Sequence, residues 1–266
     1  MSSACHTKRQ FLKENLTIIG QREIAPRIFE MVLAGQMVAE MEVGQFLHLR
    51  VPDPSKLLRR PISISEIDKE KGQVTIVYRV ERAGTAILSK LEAGDSVDTM
   101  GPQGKGFDLS FLEAGQRALL IGGGIGVPPL VETAKQLHAK GVTVTSIIGF
   151  ATKDAVILEE KLRSYGDVYV TTDDGSYGRA GYVSTVVDEL DWQPDAVYSC
   201  GAPGMLRYVD SKFENHPHAY LSMEARMACG MGACYACVVP LRHQDQAANQ
   251  RVCEDGPVFE TGTIVL

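Results

Sequence analysis

From Leu16 to about residue 110, apolar and polar residues alternate in short runs separated by turn residues: LTIIGQREI, IFEMVLA, GQFLHLRV, GQVTIVYRV and DSVDTMGP. Alternation places successive side chains on opposite faces of a strand, and several short strands at close spacing predict a small antiparallel barrel. From Gln116 the period changes. RALLIGG reads as a buried strand, PPLVETAKQLHAK as a helix stopped by Gly141, VTVTSIIGF as strand and DAVILEEKLRSYG as helix. DVYVTTDDG, GYVSTVVDEL and DAVYSCGA continue the series as strand, helix and strand. This alternation predicts a parallel sheet with helices on its faces. The piece from about Ala219 is short, rich in Cys and Gly, and too small to hold a core unaided; a bound metal would supply the missing stability. The expected division is a barrel over residues 10–112, an α/β unit over 113–218 and a small metal-dependent unit over 219–266.

With 266 residues, 44% hydrophobic and 23% charged, the chain can bury more than one core. Its formal net charge of -6 offers no basic field, which argues against nucleic acid as a partner. The longest apolar run, RALLIGGGIGVPPLV, is broken by Gly and Pro, so no membrane span is expected. MSSACHTKRQ lacks the apolar core of a secretory signal. A cytoplasmic location follows as the expectation, and with it metal binding or catalysis for the cysteines rather than disulfides.

Four of the six cysteines form one pattern: Cys229-x4-Cys234-x2-Cys237, then Cys253 after fifteen intervening residues. This is the plant-type spacing of a [2Fe-2S] cluster, with Gly230, Gly232, Ala233 and Ala236 small enough to let backbone amides turn toward sulfur. The competing reading is zinc, which usually pairs two C-x2-4-C knuckles and would leave Cys253 without a close companion. Disulfides rank below both. Cys5 and Cys200 stand apart from the pattern, and the remaining histidines, His243 among them, show no metal spacing.

LLIGGGIGVPPL joins a predicted strand to a predicted helix, the context in which Gly122, Gly123, Gly124 and Gly126 would let the chain approach a pyrophosphate at a helix N-terminus. It is not a clean G-x-G-x-x-G, and close packing of a strand end is the other reading. Asp173 and Asp174 end a predicted strand, where a carboxylate can accept from ribose hydroxyls and repel a 2'-phosphate, favouring NAD over NADP; an Asx turn before Gly175 would serve as well. Cys200 ends another strand, as a lining residue beside a nicotinamide or as a small buried hydrophobe. In the barrel, LLRRPISIS offers Arg60 and Ser63, and Gly84 with Thr85 open a helix. Taken singly, these suit a surface arginine and an N-cap as well as a phosphate.

Together, R-P-I-S, G-G-G-I-G-V-P-P, C-G-A-P-G and the terminal cysteine motif resemble the ferredoxin reductase superfamily with a C-terminal [2Fe-2S] domain. More closely, RRPISI, TTDDGSYG, MEARMACGMGACYACVV and VCEDGPVF resemble the family of electron-transfer subunits of dihydroorotate dehydrogenase B, over nearly the whole chain. The resemblance implies an FAD-binding barrel in which Arg60, Pro61, Ile62, Ser63, Val77, Tyr78, Arg79, Gly84 and Thr85 hold FAD. It implies that Gly122, Gly123, Gly124, Gly126 and Asp173 face NAD, with Cys200 added from its strand-end position, and that Cys229, Cys234, Cys237 and Cys253 ligate the cluster. It further implies a catalytic FMN-containing partner that oxidises dihydroorotate in pyrimidine biosynthesis, a heterotetramer with two copies of each chain, and electrons passing from FMN through cluster and FAD to NAD. Ile62 departs from the aromatic that many reductases carry in R-x-Y-S. Two alternatives use the same features: a stand-alone NAD(P)H reductase or small subunit of another NAD-linked complex, and a zinc-stabilised binding module without catalysis.

Overall fold

The computed structural model describes residues 12–242 and 248–266; Cys5, His243 and residues 10 and 11 of the expected barrel unit lie outside them. Six antiparallel strands close into a barrel: β1 (Leu12–Ala25), β2 (Ile28–Ala34), β3 (Phe46–Leu49), β4 (Arg60–Asp68), β5 (Gln73–Arg79) and β6 (Ser96–Gln103), in spatial order β1-β2-β5-β4-β3-β6. The alternation seen in the sequence becomes inside and outside: along β6, Val97, Thr99 and Gly101 are buried while the residues between them are not. The fourteen-residue β1 pairs with β6 through its first half and with β2 through its second, and register shifts after Ile18 and Glu23 bend it around the barrel. Leu16, Ile18, Met31, Leu33, Leu47, Leu49, Ile64 and Ile76 fill the interior, capped by Leu88 of α1 (Ala83–Leu88).

The second unit is a seven-stranded sheet of β7 (Arg117–Gly123), β8 (Thr143–Phe150), β9 (Asp167–Thr172), β10 (Arg179–Ala180), β11 (Ala196–Cys200), β12 (Ala219–Ser222) and β15 (Val258–Glu260), in the order β10-β9-β8-β7-β11-β12-β15. All neighbours are parallel except the edge strand β15. The unbroken apolar run of β7 has a physical reason: Leu120 packs on the side of α2 (Pro128–Ala139), while Leu119 and Ile121 pack on the side of α4 (Val183–Val187) and α5 (Pro203–Lys212). The helix expected over DAVILEEKLRSYG is shorter, α3 (Glu159–Arg163), because Leu158 takes a left-handed φ of 61° and interrupts it. Helix α5 was not anticipated, although Pro203 at its first position is an ordinary start signal.

The C-terminal segment gains its core from both neighbours. β12 and β15 belong to the large sheet, while β13 (Val238–Pro240) and β14 (Asn249–Arg251) form a separate ribbon. Met227, Cys237, Val252, Cys253, Phe259 and Ile264 pack together with Phe46 of the barrel. Among the described residues, no helix is long and apolar enough to cross a membrane.

Candidate functional site

A crevice of about 650 Å³ opens where β4 and β5 of the barrel meet Ile125, in the turn after β7, and the segment Met223–Met227. Arg60, Pro61, Ile62, Ser63, Val77, Tyr78, Arg79 and Thr85, all expected around FAD, line it. Gly84 stands behind them: a side chain there would lie 2.6 Å from Arg60 Nε, so glycine lets the guanidinium pack against α1. Several of these groups have local partners. The Tyr78 hydroxyl donates to Gln21 Oε1 at 2.7 Å, inside the barrel. Thr85 Oγ1 donates to the Arg82 carbonyl and accepts from the Glu81 amide, closing the turn before α1. Arg79 pairs with Glu81 at 2.7 Å. The Ser63 hydroxyl has no hydrogen-bond partner among the described residues. Apolar walls at Pro61, Ile62 and Val77, with Arg60, Arg79, Arg82 and Arg226 around them, fit a flat heteroaromatic ring joined to a pyrophosphate.

Sequence reasoning missed Arg59. Its guanidinium donates to Asp98 Oδ1 at 2.7 Å, to the Asp98 carbonyl at 2.8 Å and to the His48 carbonyl at 3.2 Å, fastening the start of β4 to β3 and β6. Burial acts to raise the Asp98 carboxyl, but Arg59 and Lys13 outweigh it and hold the group below its ordinary range. The Arg59-Arg60 doublet is the signal for it in the sequence.

The glycine loop divides into two kinds of position. A side chain at Gly126 would collide with the Cys200 carbonyl and lie 2.5 Å from the Gly201 amide nitrogen, and one at Gly122 or Gly123 would come within 2.9 Å of Val127 or Met205. Gly124 faces open space and holds a φ of +53°. Close packing thus accounts for three of the glycines, and only Gly124 combines left-handed backbone with room for a ligand. Of the two acidic residues after β9, Asp174 accepts from the Ser176 amide and hydroxyl in an Asx turn, while the Asp173 side chain is exposed and without a hydrogen-bond partner among the described residues. Cys200, fully enclosed at the end of β11, has its thiol pushed up by burial and further by Glu224, so it stays protonated. Glu224 is exposed to the crevice yet enclosed by protein on most sides; this desolvation, and then Glu81, raise its carboxyl against the pull of Arg79.

The cysteines associate in two pairs. Cys229 adjoins Cys234, whose amide approaches Cys229 Sγ at 3.4 Å, and Cys237 adjoins Cys253. Positive φ at Gly230, Gly232 and Tyr235 turns the loop so that the Met231 amide also meets Cys229 Sγ at 3.4 Å and the Gly232 amide meets Cys253 Sγ at 3.2 Å. Hydrogen bonds around the Cys229 pair hold the Cys234 thiol down at about 7, whereas burial pushes Cys253 up to about 12, so metal binding there must displace a proton. Among the described residues no three metal-binding side chains gather about one point. A two-iron cluster takes two thiolates on each iron, with amides directed at sulfur, and the paired arrangement fits it.

Comparisons with known proteins agree with this geometry. Residues 19–107 match the family model of the oxidoreductase FAD-binding domain, and residues 224–265 match that of the iron-sulfur cluster binding domain of dihydroorotate dehydrogenase B. The dihydroorotate dehydrogenase B (NAD(+)) electron transfer subunit of Streptococcus thermophilus is 76% identical over 255 residues, covering 96% of this chain and 99% of that one. The protein of the same name from Geobacillus thermodenitrificans is 50% identical over 256 residues, covering 96% and 99%. Among solved structures, an NADH-dependent reduced ferredoxin-NADP oxidoreductase superposes with a TM-score of 0.83 at 27% identity, covering 94% of this chain and 89% of that one. Phthalate dioxygenase reductase, at 20% identity, superposes with a TM-score of 0.64 over 87% of each chain and shares the fold. With identity this high over nearly its full length, and with both family models falling on the crevice and the paired thiols, the chain belongs to the family of dihydroorotate dehydrogenase B (NAD(+)) electron transfer subunits.

Proposed function

We propose that this chain carries electrons between a catalytic, FMN-containing dihydroorotate dehydrogenase subunit and NAD, in the cytoplasm, as part of pyrimidine biosynthesis, in a heterotetramer with two copies of each chain. Bound in the crevice, FAD would supply hydride exchange with NAD and single-electron exchange with an iron-sulfur cluster, while this chain's residues supply orientation and electrostatics. Residues 10–112 form the FAD unit, 113–218 the NAD unit and 219–266 the cluster unit, the last sharing strands with the second. Arg60 would neutralise pyrophosphate, and Ser63 would hydrogen-bond the flavin ring above the apolar floor of Pro61, Ile62 and Val77. The open turn at Gly124 and the free carboxylate of Asp173 would face NAD, with Cys200 as a neutral lining group. Cys229 with Cys234, and Cys237 with Cys253, would hold the two irons.

One observation carries the reading. Both ends of the cysteine segment form walls of the flavin crevice: Met227 lies two residues before Cys229, and Pro257, four residues after Cys253, accepts the Met223 amide at 2.8 Å. A flavin in this crevice and a cluster on these thiols would therefore be neighbours. Native mass spectrometry of the tagged chain isolated anaerobically from its host tests the proposal. A companion of FMN-enzyme size, with FAD and two irons per copy of this chain, supports it. A cofactor-loaded chain without a companion favours a free-standing reductase.

A further inference from the structure

His48 and Gln103 hold buried polar atoms for which the described residues offer no partner. His48 lies in β3, opposite Pro61 of β4 and Met100 of β6; Gln103 ends β6, opposite Phe46. They are 0% and 1% exposed, and neither ring nitrogen of His48 nor either amide atom of Gln103 makes a hydrogen bond. Burial, reinforced by Arg59, holds the imidazole down at about 4, so the ring is neutral, with one donor and one acceptor nitrogen. Burying such atoms unpaired opposes folding, and leucine would fill either place without that penalty. Their presence there points to a role other than packing.

Their location indicates the role. Both side chains converge on Gly230, the residue after Cys229: a side chain there would collide with His48 Nδ1 and lie 2.8 Å from Gln103 Oε1. Gly230 is also held at a φ of +68°, so the loop is shaped to bring bare backbone against this pair. On the same face of the sheet, the strand partners Pro61 and Phe46 line the flavin crevice. The pair therefore stands between the flavin crevice and the first cysteine of the cluster loop.

We propose that His48 and Gln103 are positioning residues for the iron-sulfur cluster, seating the Cys229–Gly230 turn on the flavin barrel and supplying the polar surroundings that tune the cluster. This rests on the cluster assignment above. Groups outside the ligands that present hydrogen bonds to a metal site set its potential and orient its ligands, and their loss typically costs ten- to a hundredfold in activity or affinity.

The test uses the full chain with its cofactors, comparing His48→Leu and Gln103→Leu with the conservative His48→Gln. In the leucine variants, reduction of FAD by NADH should be unchanged, cluster reduction should slow by about tenfold, and the electron paramagnetic resonance signal and midpoint potential of the cluster should shift. His48→Gln should recover most of the rate. Leucine variants with an unaltered signal, potential and cluster reduction rate would overturn the proposal. If the leucine variants lose iron but keep FAD, His48→Gln decides: iron retained supports polar seating, and iron lost means that ring shape alone matters, which overturns it. A wild-type chain without two irons would instead defeat the cluster assignment itself.

Discussion

The Glu132 carboxylate accepts the Ile67 backbone amide at 2.8 Å, joining the helix after the glycine loop to the strand that carries Arg60 through Ser63. β3 pairs with β4 only from Arg60 to Ser63, so the later part of that edge lacks a neighbouring strand. Helix α2 covers it instead: Lys135 Nζ donates to the Ile67 carbonyl at 2.6 Å and to Glu132 at 3.1 Å, and Gln136 donates to Glu132 at 2.9 Å, while Lys161 of α3 pairs with Glu66. Two side chains thus satisfy what a strand would have satisfied. Because Glu132 is 3% exposed, removing it strands a buried amide. Glu132→Ala should cost about 2–3 kcal/mol in denaturant unfolding, with Glu132→Gln costing less, and should slow hydride transfer by loosening the barrel against the sheet.

Asp98 gives the barrel an acid-sensitive fastening. Its folded carboxyl lies below the ordinary range, so its contribution is present above the unfolded value of about 4 and is lost as pH falls through the lowered folded value. Asp98→Asn should therefore destabilise the protein at neutral pH by about 2 kcal/mol, the worth of a charged hydrogen bond, and the gap from wild type should close in more acidic solution. Urea unfolding at a series of pH values checks both the size and the direction.

Gly126 and Gly124 should respond differently to alanine. At Gly126 the added carbon meets the backbone of Cys200 and Gly201, which cannot give way without moving β11; a cost of about 1–3 kcal/mol and a raised KM for NADH are expected. At Gly124 the space is free and only the left-handed backbone is penalised, by about 1 kcal/mol. Thermal melts with steady-state NADH kinetics separate the two.

Asp173, rather than Asp174, should govern discrimination between NADH and NADPH. Asp174 is occupied by Ser176, while the exposed Asp173 carboxylate has no hydrogen-bond partner among the described residues. Asp173→Asn should reduce the preference for NADH by about tenfold, equivalent to about 1.4 kcal/mol. Asp174→Asn, which can keep the turn, should leave the preference close to wild type; the ratio of kcat/KM values measures both.

Cys234→Ser should abolish NAD-linked dihydroorotate oxidation by the assembled complex while leaving reduction of FAD by NADH largely intact. Cys234 is the most exposed of the four thiols and is paired with Cys229, so its loss strikes one half of the cluster site without disturbing the barrel core. Iron analysis and anaerobic flavin bleaching read the two effects separately.

Much was legible in the chain itself. Period-two alternation up to Gln103 and the strand-helix alternation after Gln116 are local properties, so barrel and parallel sheet could be named before any contact was known. The cysteine spacing was equally local, because one loop carries three of the four thiols. What the sequence left open depended on distant partners. AYLS, at Ala219–Ser222, is too short to announce that it extends the central sheet. Nothing around Glu132 marks it as the cover for Ile67, sixty-five residues away. The loop glycines looked alike until packing against Val127, Met205 and Cys200 separated three from Gly124. His48 and Gln103, each within an ordinary barrel strand, acquired meaning only when the fold laid Gly230 against them: the sequence determined the elements and the thiol spacing, while tertiary packing decided which polar groups lost water and what they faced instead.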